Sequence, residues 1–74
     1  MIETGQLRRW HEWTYNAQGF NSIFIVLEQR RSDDVTQAGG DPSMPAWNII
    51  SGGIADWVYE VDIVEMSDAI DETR

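Results

Sequence analysis

Few side chains in this sequence belong to the types that carry out chemistry. The 74 residues include one histidine, His11, and neither cysteine nor lysine. A single imidazole with no companion ligand and no nucleophile in a recognisable pattern makes neither a metal site nor a general base. We therefore interpret His11 as a structural or surface residue. The absence of cysteine excludes disulfide scaffolds and thiol catalysis.

The acid-rich and glycine-rich stretches do not match sites of known chemistry either. Asp33, Asp34 and Asp41 lie in one stretch, but they lack the alternating acids and the final glutamate of a calcium-binding loop. The glycine pairs at 39–40 and 52–53 are not followed by a lysine and a helix, as a phosphate-binding loop requires. We therefore predict that the chain is not an enzyme and uses no cofactor and no metal ion.

The charge of the chain is strongly acidic and unevenly distributed. Thirteen Asp and Glu residues face five basic residues, all of them arginine, which gives a net charge of −8. Seven of the acids follow Ile54, with Arg74 as the only basic residue there. A surface of this sign repels phosphate backbones, so we expect no direct nucleic-acid binding. The run either solvates the surface or imitates a nucleic acid and occupies a DNA-binding protein.

Membrane insertion and export through a signal peptide are not expected. The sequence has no charged-then-apolar leader and no apolar run of about 18 residues, the length at which a helix begins to span a bilayer. The lack of cysteine fits a cytoplasmic setting or a virus particle.

The stretch 46–66 organises the predicted fold. It is interpreted as a strand around Trp47 to Ile50, a tight turn at Gly52-Gly53 and a second strand from Ile54 to Tyr59. Apolar, β-favouring residues flank a glycine pair that suits the positive φ angles of a two-residue hairpin turn. A single turn at 60–62 and a closing strand at 63–66 are predicted to follow.

Two further strands are predicted before this hairpin. Residues 6–13 alternate loosely between apolar and charged side chains, and the segment Ile23 to Leu27 is apolar on both parities. The second pattern is typical of a central strand whose two faces are covered, or of one that meets a partner, including a second copy of the chain. Residues 32–45 show no periodicity and are predicted to be a long loop that is either mobile or in contact with a partner.

Together these elements predict an all-β fold, a small five-stranded barrel with a long loop between strands 2 and 3. Residues 1–66 would form this single domain, and residues 67–74 an acidic tail that frays. Closing the sheet is how a short all-β chain avoids exposed strand edges.

This arrangement resembles the Src-homology-3-like barrels, and more narrowly the small barrel proteins encoded by tailed bacteriophages. Those proteins share a set of short motifs with about two-thirds of this chain. The matching pieces are Gly5-Gln6-Leu7-Arg8-Arg9, Ile23 to Glu28, Trp47-Asn48-Ile49-Ile50, Gly52-Gly53 and Trp57 to Ile63.

The resemblance implies a Src-homology-3-like barrel with a 3₁₀ turn before its last strand. It also implies a phage-encoded protein in the cytoplasm of an infected bacterium or in the virion. The peptide-binding members of the family recognise proline-rich ligands through an ALYDY-type strand, which this chain lacks. Val58-Tyr59-Glu60 stands where those members usually place a proline, so proline-peptide recognition is not carried over.

The aromatic residues of the hairpin supply the candidate binding site. Strand alternation directs Trp47 and Val58 inward and places Trp57 and Tyr59 on the outer face. Large exposed aromatics usually mark a partner-binding surface, whereas at least two of the four Trp residues are expected to serve in the core. We predict a protein–protein interaction module whose contact residues are Trp57, Tyr59, Asp56 and Glu60. Its partner would be a virion protein or a host protein, with self-association through Ile23 to Leu27 as a further interpretation.

Overall fold

The computed structural model describes residues 2–11 and 23–70, which form one five-stranded antiparallel sheet and two short helices. In chain order these are β1 (Leu7–Trp10), β2 (Ile23–Arg30), α1 (Ser32–Gln37), β3 (Ala46–Ser51), β4 (Ile54–Tyr59), α2 (Glu60–Met66) and β5 (Ser67–Ala69). The order across the sheet is β4-β3-β2-β1-β5, so β4 and β5 are the edges of the described sheet. The prediction of five strands in a mostly β fold is confirmed, and the described sheet is open.

The β3–β4 hairpin forms as the sequence predicted. Gly52 and Gly53 have φ angles of 58° and 82°, the positive values that a two-residue turn demands and that glycine adopts without a steric penalty. The pairing runs from Ser51 opposite Ile54 at the turn to Ala46 opposite Tyr59 at the far end.

Strand β2 is the central strand of the sheet, with β1 on one side and β3 on the other. Its pairing with β3 shifts between Val26 and Gln29, where two residues of β2 stand opposite Asn48 alone. A bulge of this kind bends a strand and changes which side chains share a face. After the bulge Arg30 pairs with Ala46, and it therefore lies on the sheet face opposite to the core.

Strand β1 is shorter than predicted. The sequence indicated a strand over 6–13, and the structure confirms Leu7–Trp10. Residues 12–22, with Trp13 and the turn predicted at 14–19, lie outside the described ranges.

The core lies on one face of the sheet. Trp10 stacks on Phe24 with ring centroids 4.4 Å apart. The buried cluster contains Ile2, Trp10, Phe24, Val26, Ile49 and Ile63, with Trp47, Val58 and Met66 packed against it. The inward orientation predicted for Trp47 and Val58 is confirmed, and the indole of Trp10 belongs to the buried core.

The segment after β4 corrects the sequence prediction. In place of a single turn at 60–62 and a strand at 63–66, residues Glu60–Met66 form the helix α2. Ile63 is fully buried and Met66, three residues later, packs against the core, which is the spacing of one helix face. Glu60 and Asp62 lie in the first turn, where negative charge is favourable. The last strand, β5, is Ser67–Ala69, within the segment predicted as a frayed tail, and residues 71–74 lie outside the described ranges.

The buried side chain of Arg8, on β1, forms hydrogen bonds with residues of α2 and β5. Its Nε donates to Ser67 Oγ at 2.8 Å, and its Nη2 donates to the carbonyl oxygens of Ser67 and Ile63 at 2.9 and 3.4 Å. These carbonyls lie at the C-terminal end of α2, which the helix dipole makes a favourable place for a cation. Burial lowers the pKa of Arg8, and the nearby negative charge of Asp68 opposes that shift.

The predicted loop 32–45 begins with a helix, which is a second correction. Helix α1 spans Ser32–Gln37, with Asp33 and Asp34 in its first turn and Val35 buried. A single buried valine gives no periodicity in the sequence, and the helix is too short to be stable without that tertiary contact.

Candidate partner-binding surface

The outer face of the sheet, opposite to the core, carries an aromatic pair on strand β4. Trp57 and Tyr59 alternate with Val58, so both point away from the core. Their rings meet edge to face, with centroids 5.2 Å apart and an interplanar angle of 84°. Both residues are half-buried.

Gly40 and Asp41, in the segment that follows α1, contact the Trp57–Tyr59 pair. The Asp41 N–H donates to the Tyr59 hydroxyl oxygen at 2.8 Å. A Cβ atom on Gly40 would lie 2.7 Å from Tyr59 Oη and 2.8 Å from Trp57 Cη2, closer than van der Waals contact allows. Only glycine therefore lets the backbone approach both rings, and the contact holds the aromatic pair in one arrangement.

Arg30 fixes the other side of Trp57. Its guanidinium carbon lies 5.2 Å from the centroid of the Trp57 ring, within cation–π range. Its Nη1 donates to Asn48 Oδ1 at 2.8 Å, while its Nε is buried and has no hydrogen-bond partner within the described residues. The Arg30 guanidinium is thus held on the outer face by its hydrogen bond to Asn48 and by its contact with the Trp57 ring.

An open cavity of about 360 Å³ adjoins Trp57 on this face. Apolar lining residues include Leu27 and Ala55, and the acidic residues Glu28 and Asp56 also border the cavity. Ile25, further along β2, is 40 % exposed and extends the apolar strip. We call the region formed by these residues with Trp57 and Tyr59 the outer groove.

The structure brings together two of the four predicted contact residues. Trp57 and Tyr59 touch. Asp56 alternates with them and pairs with Ile49, so it has the parity of Val58; it is exposed beside the cavity, and its Oδ1 accepts the Trp57 N–H at 2.7 Å. Glu60 does not join them, because its Oε1 accepts the Trp47 indole N–H at 2.8 Å on the side of the core. Glu60 therefore supports the fold at the start of α2.

Sequence reasoning missed Arg30 and Gly40 as members of this surface. Arg30 reaches the outer face only because of the bulge in β2, and a bulge leaves no mark in the alternation of the sequence. Gly40 has an ordinary φ, so its need for glycine comes from the close approach of two rings brought in by β4.

His11 and Asp41, two side chains that could carry out chemistry, each contact a neighbouring side chain. His11 Nε2 lies 3.3 Å from Asp68 Oδ2. Asp41 Oδ1 accepts bonds from the Ser43 N–H and hydroxyl at 3.0 and 2.7 Å, and these bonds lower the pKa of Asp41. In residues 2–11 and 23–70 no three His, Cys, Asp or Glu side chains gather as a metal site would require.

None of the described helices is both long enough and apolar enough to span a bilayer. Comparisons with models of known families, with curated proteins and with solved structures find no match to this chain.

Proposed function

We propose that the protein is a non-enzymatic interaction module that binds another protein through the outer groove. The observation that carries the proposal is the Trp57–Tyr59 pair, which lies beside an apolar cavity. Tryptophan, tyrosine and arginine are the residues most enriched among those that dominate binding energy at protein interfaces. Here Arg30 completes that set.

The rigidity of the surface supports the same proposal. Gly40 packs under the rings, and the Tyr59 hydroxyl is held by the Asp41 N–H. Side chains that are already ordered lose less conformational entropy when a partner binds. The outer groove therefore requires little rearrangement before association.

We further propose the setting that the sequence resemblance implies. The protein would be a phage-encoded Src-homology-3-like barrel that acts as a small virion component or modulates a host protein, in the particle or in the cytoplasm of the infected cell. Two features of the fold support the barrel: β2 bends at its bulge, and α2 leads from edge strand β4 to edge strand β5 while packing Ile63 on the core. A helical turn and a short last strand are also what the family resemblance implies.

A pull-down with a matched control tests the binding proposal. Trp57→Ser should reduce capture of the partner from producing cells at least about tenfold, because loss of a central aromatic contact costs about 2 kcal/mol or more. Val64→Ser removes an apolar side chain that is 57 % exposed on α2 and should leave capture unchanged. Circular dichroism would check that both variants fold. Equal capture by Trp57→Ser and the parent protein would refute the proposal.

An acidic nucleic-acid mimic that inhibits a host DNA-binding protein is the alternative function. The exposed carboxylates of Asp56, Glu65 and Asp68 favour it, since all lie in the C-terminal half. Such binding is electrostatic and would be screened by salt. Capture that persists in about 1 M salt, where the Debye length is about 3 Å, would argue against mimicry.

A further inference from the structure

The edge of β4 is a row of backbone groups that faces away from β3. In a two-residue hairpin the residues that flank the turn exchange hydrogen bonds, and this pattern then alternates along the strands. The Glu60 N–H donates to the Pro45 carbonyl oxygen at 2.8 Å, which fixes the alternation at the far end. Asp56 and Val58 therefore bond to β3, and the N–H and C=O groups of Ala55 and Trp57 point to the edge at which no strand of residues 2–11 and 23–70 pairs.

The side chain of Asp56 accepts a hydrogen bond from one of these edge N–H groups, that of Trp57. Its carboxylate accepts the Trp57 N–H at 2.7 Å, although Asp56 and Trp57 are neighbours in the chain. Because the contact is exposed and made by a single flexible side chain, an incoming carbonyl group can replace it. Such local protection is one way in which proteins guard an edge strand from unwanted pairing.

We propose that the β4 edge binds an extended, basic segment of another protein, which adds to the sheet as a further strand. This inference rests on the proposed function and specifies how the partner's backbone is recognised. The incoming strand would accept the Trp57 N–H and the Ala55 N–H, and the Asp56 carboxylate would be released. In strand addition the backbone bonds supply affinity and the alternate side-chain sites supply specificity.

The charges around the edge determine which partner fits. Glu28 and Asp56 both line the cavity, whereas the guanidinium of Arg30 is engaged by Asn48 and by the Trp57 ring. Two acidic residues therefore line the cavity together with one arginine, in a chain whose net charge is −8. A segment that carries lysine or arginine meets complementary charge there.

The small side chain of Ala55 leaves room for a side chain of the added strand to reach from the β4 edge to the cavity. It is exposed, and it is the smallest side chain of β4 on the outer face. A long basic side chain of the added strand can cross it, lay its apolar stem against Trp57 as lysine and arginine stems do on apolar surfaces, and approach Glu28, which is exposed at the cavity. A second copy of this chain is a poorer occupant, since each copy carries a net charge of −8 and would set its own acidic edge against another.

Peptide selection with a backbone-specific variant tests the inference. A displayed library of random extended peptides, selected against the parent protein, should enrich alternating apolar residues with lysine or arginine. Ala55→Pro removes an N–H that makes no bond to β3, a position where edge strands tolerate proline. It should weaken the selected peptides at least about tenfold. Ala55→Ser keeps that N–H and should bind as the parent does.

A second pair of variants tests the contribution of charge to peptide binding. Asp56→Asn should weaken the basic peptides several-fold, and Glu65→Gln, which removes one charge from the exposed side of α2, should not. Failure to enrich any such peptide, or unchanged binding by Ala55→Pro, would overturn strand addition. If Trp57→Ser still abolished partner capture in that case, the proposed function would stand without it. A parent protein that is dimeric by light scattering and monomeric as Ala55→Pro would also overturn the inference, in favour of self-pairing.

Discussion

The absence of a side chain at Gly40 determines how closely Trp57 and Tyr59 pack in the outer groove. Its missing side chain allows Tyr59 and Trp57 to lie against the segment after α1, and Val35 Cγ1 would also lie only 2.9 Å from an added Cβ. A small-to-large change at such a packed position forces neighbouring side chains out of their preferred rotamers. Gly40 therefore determines how the aromatic pair is seated.

We predict that Gly40→Ala destabilises the protein by about 1–3 kcal/mol, the usual cost of overpacking. Urea unfolding monitored by tryptophan fluorescence measures this change. Gln37→Ala, an exposed substitution in α1, serves as the control and should stay within about 0.5 kcal/mol of the parent. An unaltered unfolding midpoint for Gly40→Ala would show that the segment moves freely away from the rings.

The elements differ in how far the sequence determines them. The β3–β4 hairpin could be predicted because a glycine pair, its flanking β-formers and the inward parity of Trp47 and Val58 all agree. Helix α2 was missed because Ile63-Val64 and Met66 fit a short strand as well as a helix. What decides between them is the contact of Ile63 with the core and the pairing of β5 with β1, and both are tertiary.

The contact of Arg8 with Ser67 and Ile63, like helix α2, could not be predicted from the sequence. Arg8 stood in a stretch interpreted as half-polar strand, yet it is 7 % exposed and bonded to residues more than fifty positions away. The candidate site shows the same division. The outer position of Trp57 and Tyr59 follows from alternation, whereas the contributions of Arg30 and Gly40 depend on pairings that only the folded sheet makes.

We predict that Arg8→Leu loosens α2 and β5 from the sheet. The substitution removes the Arg8 donors to the Ser67 hydroxyl oxygen and to the Ser67 carbonyl oxygen, while the Ile63 carbonyl still accepts from the Ser67 hydroxyl. Unsatisfied buried polar groups cost about 1–3 kcal/mol each. Arg9→Leu, on the exposed side of the same strand, is the matched control and should cost less than about 0.5 kcal/mol. Hydrogen exchange should accelerate at Ser67–Ala69 for Arg8→Leu alone. Equal exchange in both variants would contradict the role of Arg8.

The whole molecule combines a small core with a large acidic surface. One face of the sheet is filled by the hydrophobic cluster, and the other presents the outer groove between helix α1 and the open edge of β4. A net charge of −8 disfavours contact between copies of the chain and attracts positively charged molecules. Strand β2 has neighbours on both sides, so self-association through Ile23 to Leu27 would use side chains of the outer face, not a free backbone edge.

Photocrosslinking in producing cells tests most directly whether the outer groove contacts another protein. A photoreactive amino acid at Glu28, on the exposed rim of the cavity, would be compared with the same residue at Val64 on α2. Mass spectrometry would identify what each position captures. We expect a specific protein partner linked from position 28 and lost on Trp57→Ser, with none from position 64. Capture of a specific partner from position 64, with none from position 28, would contradict the account.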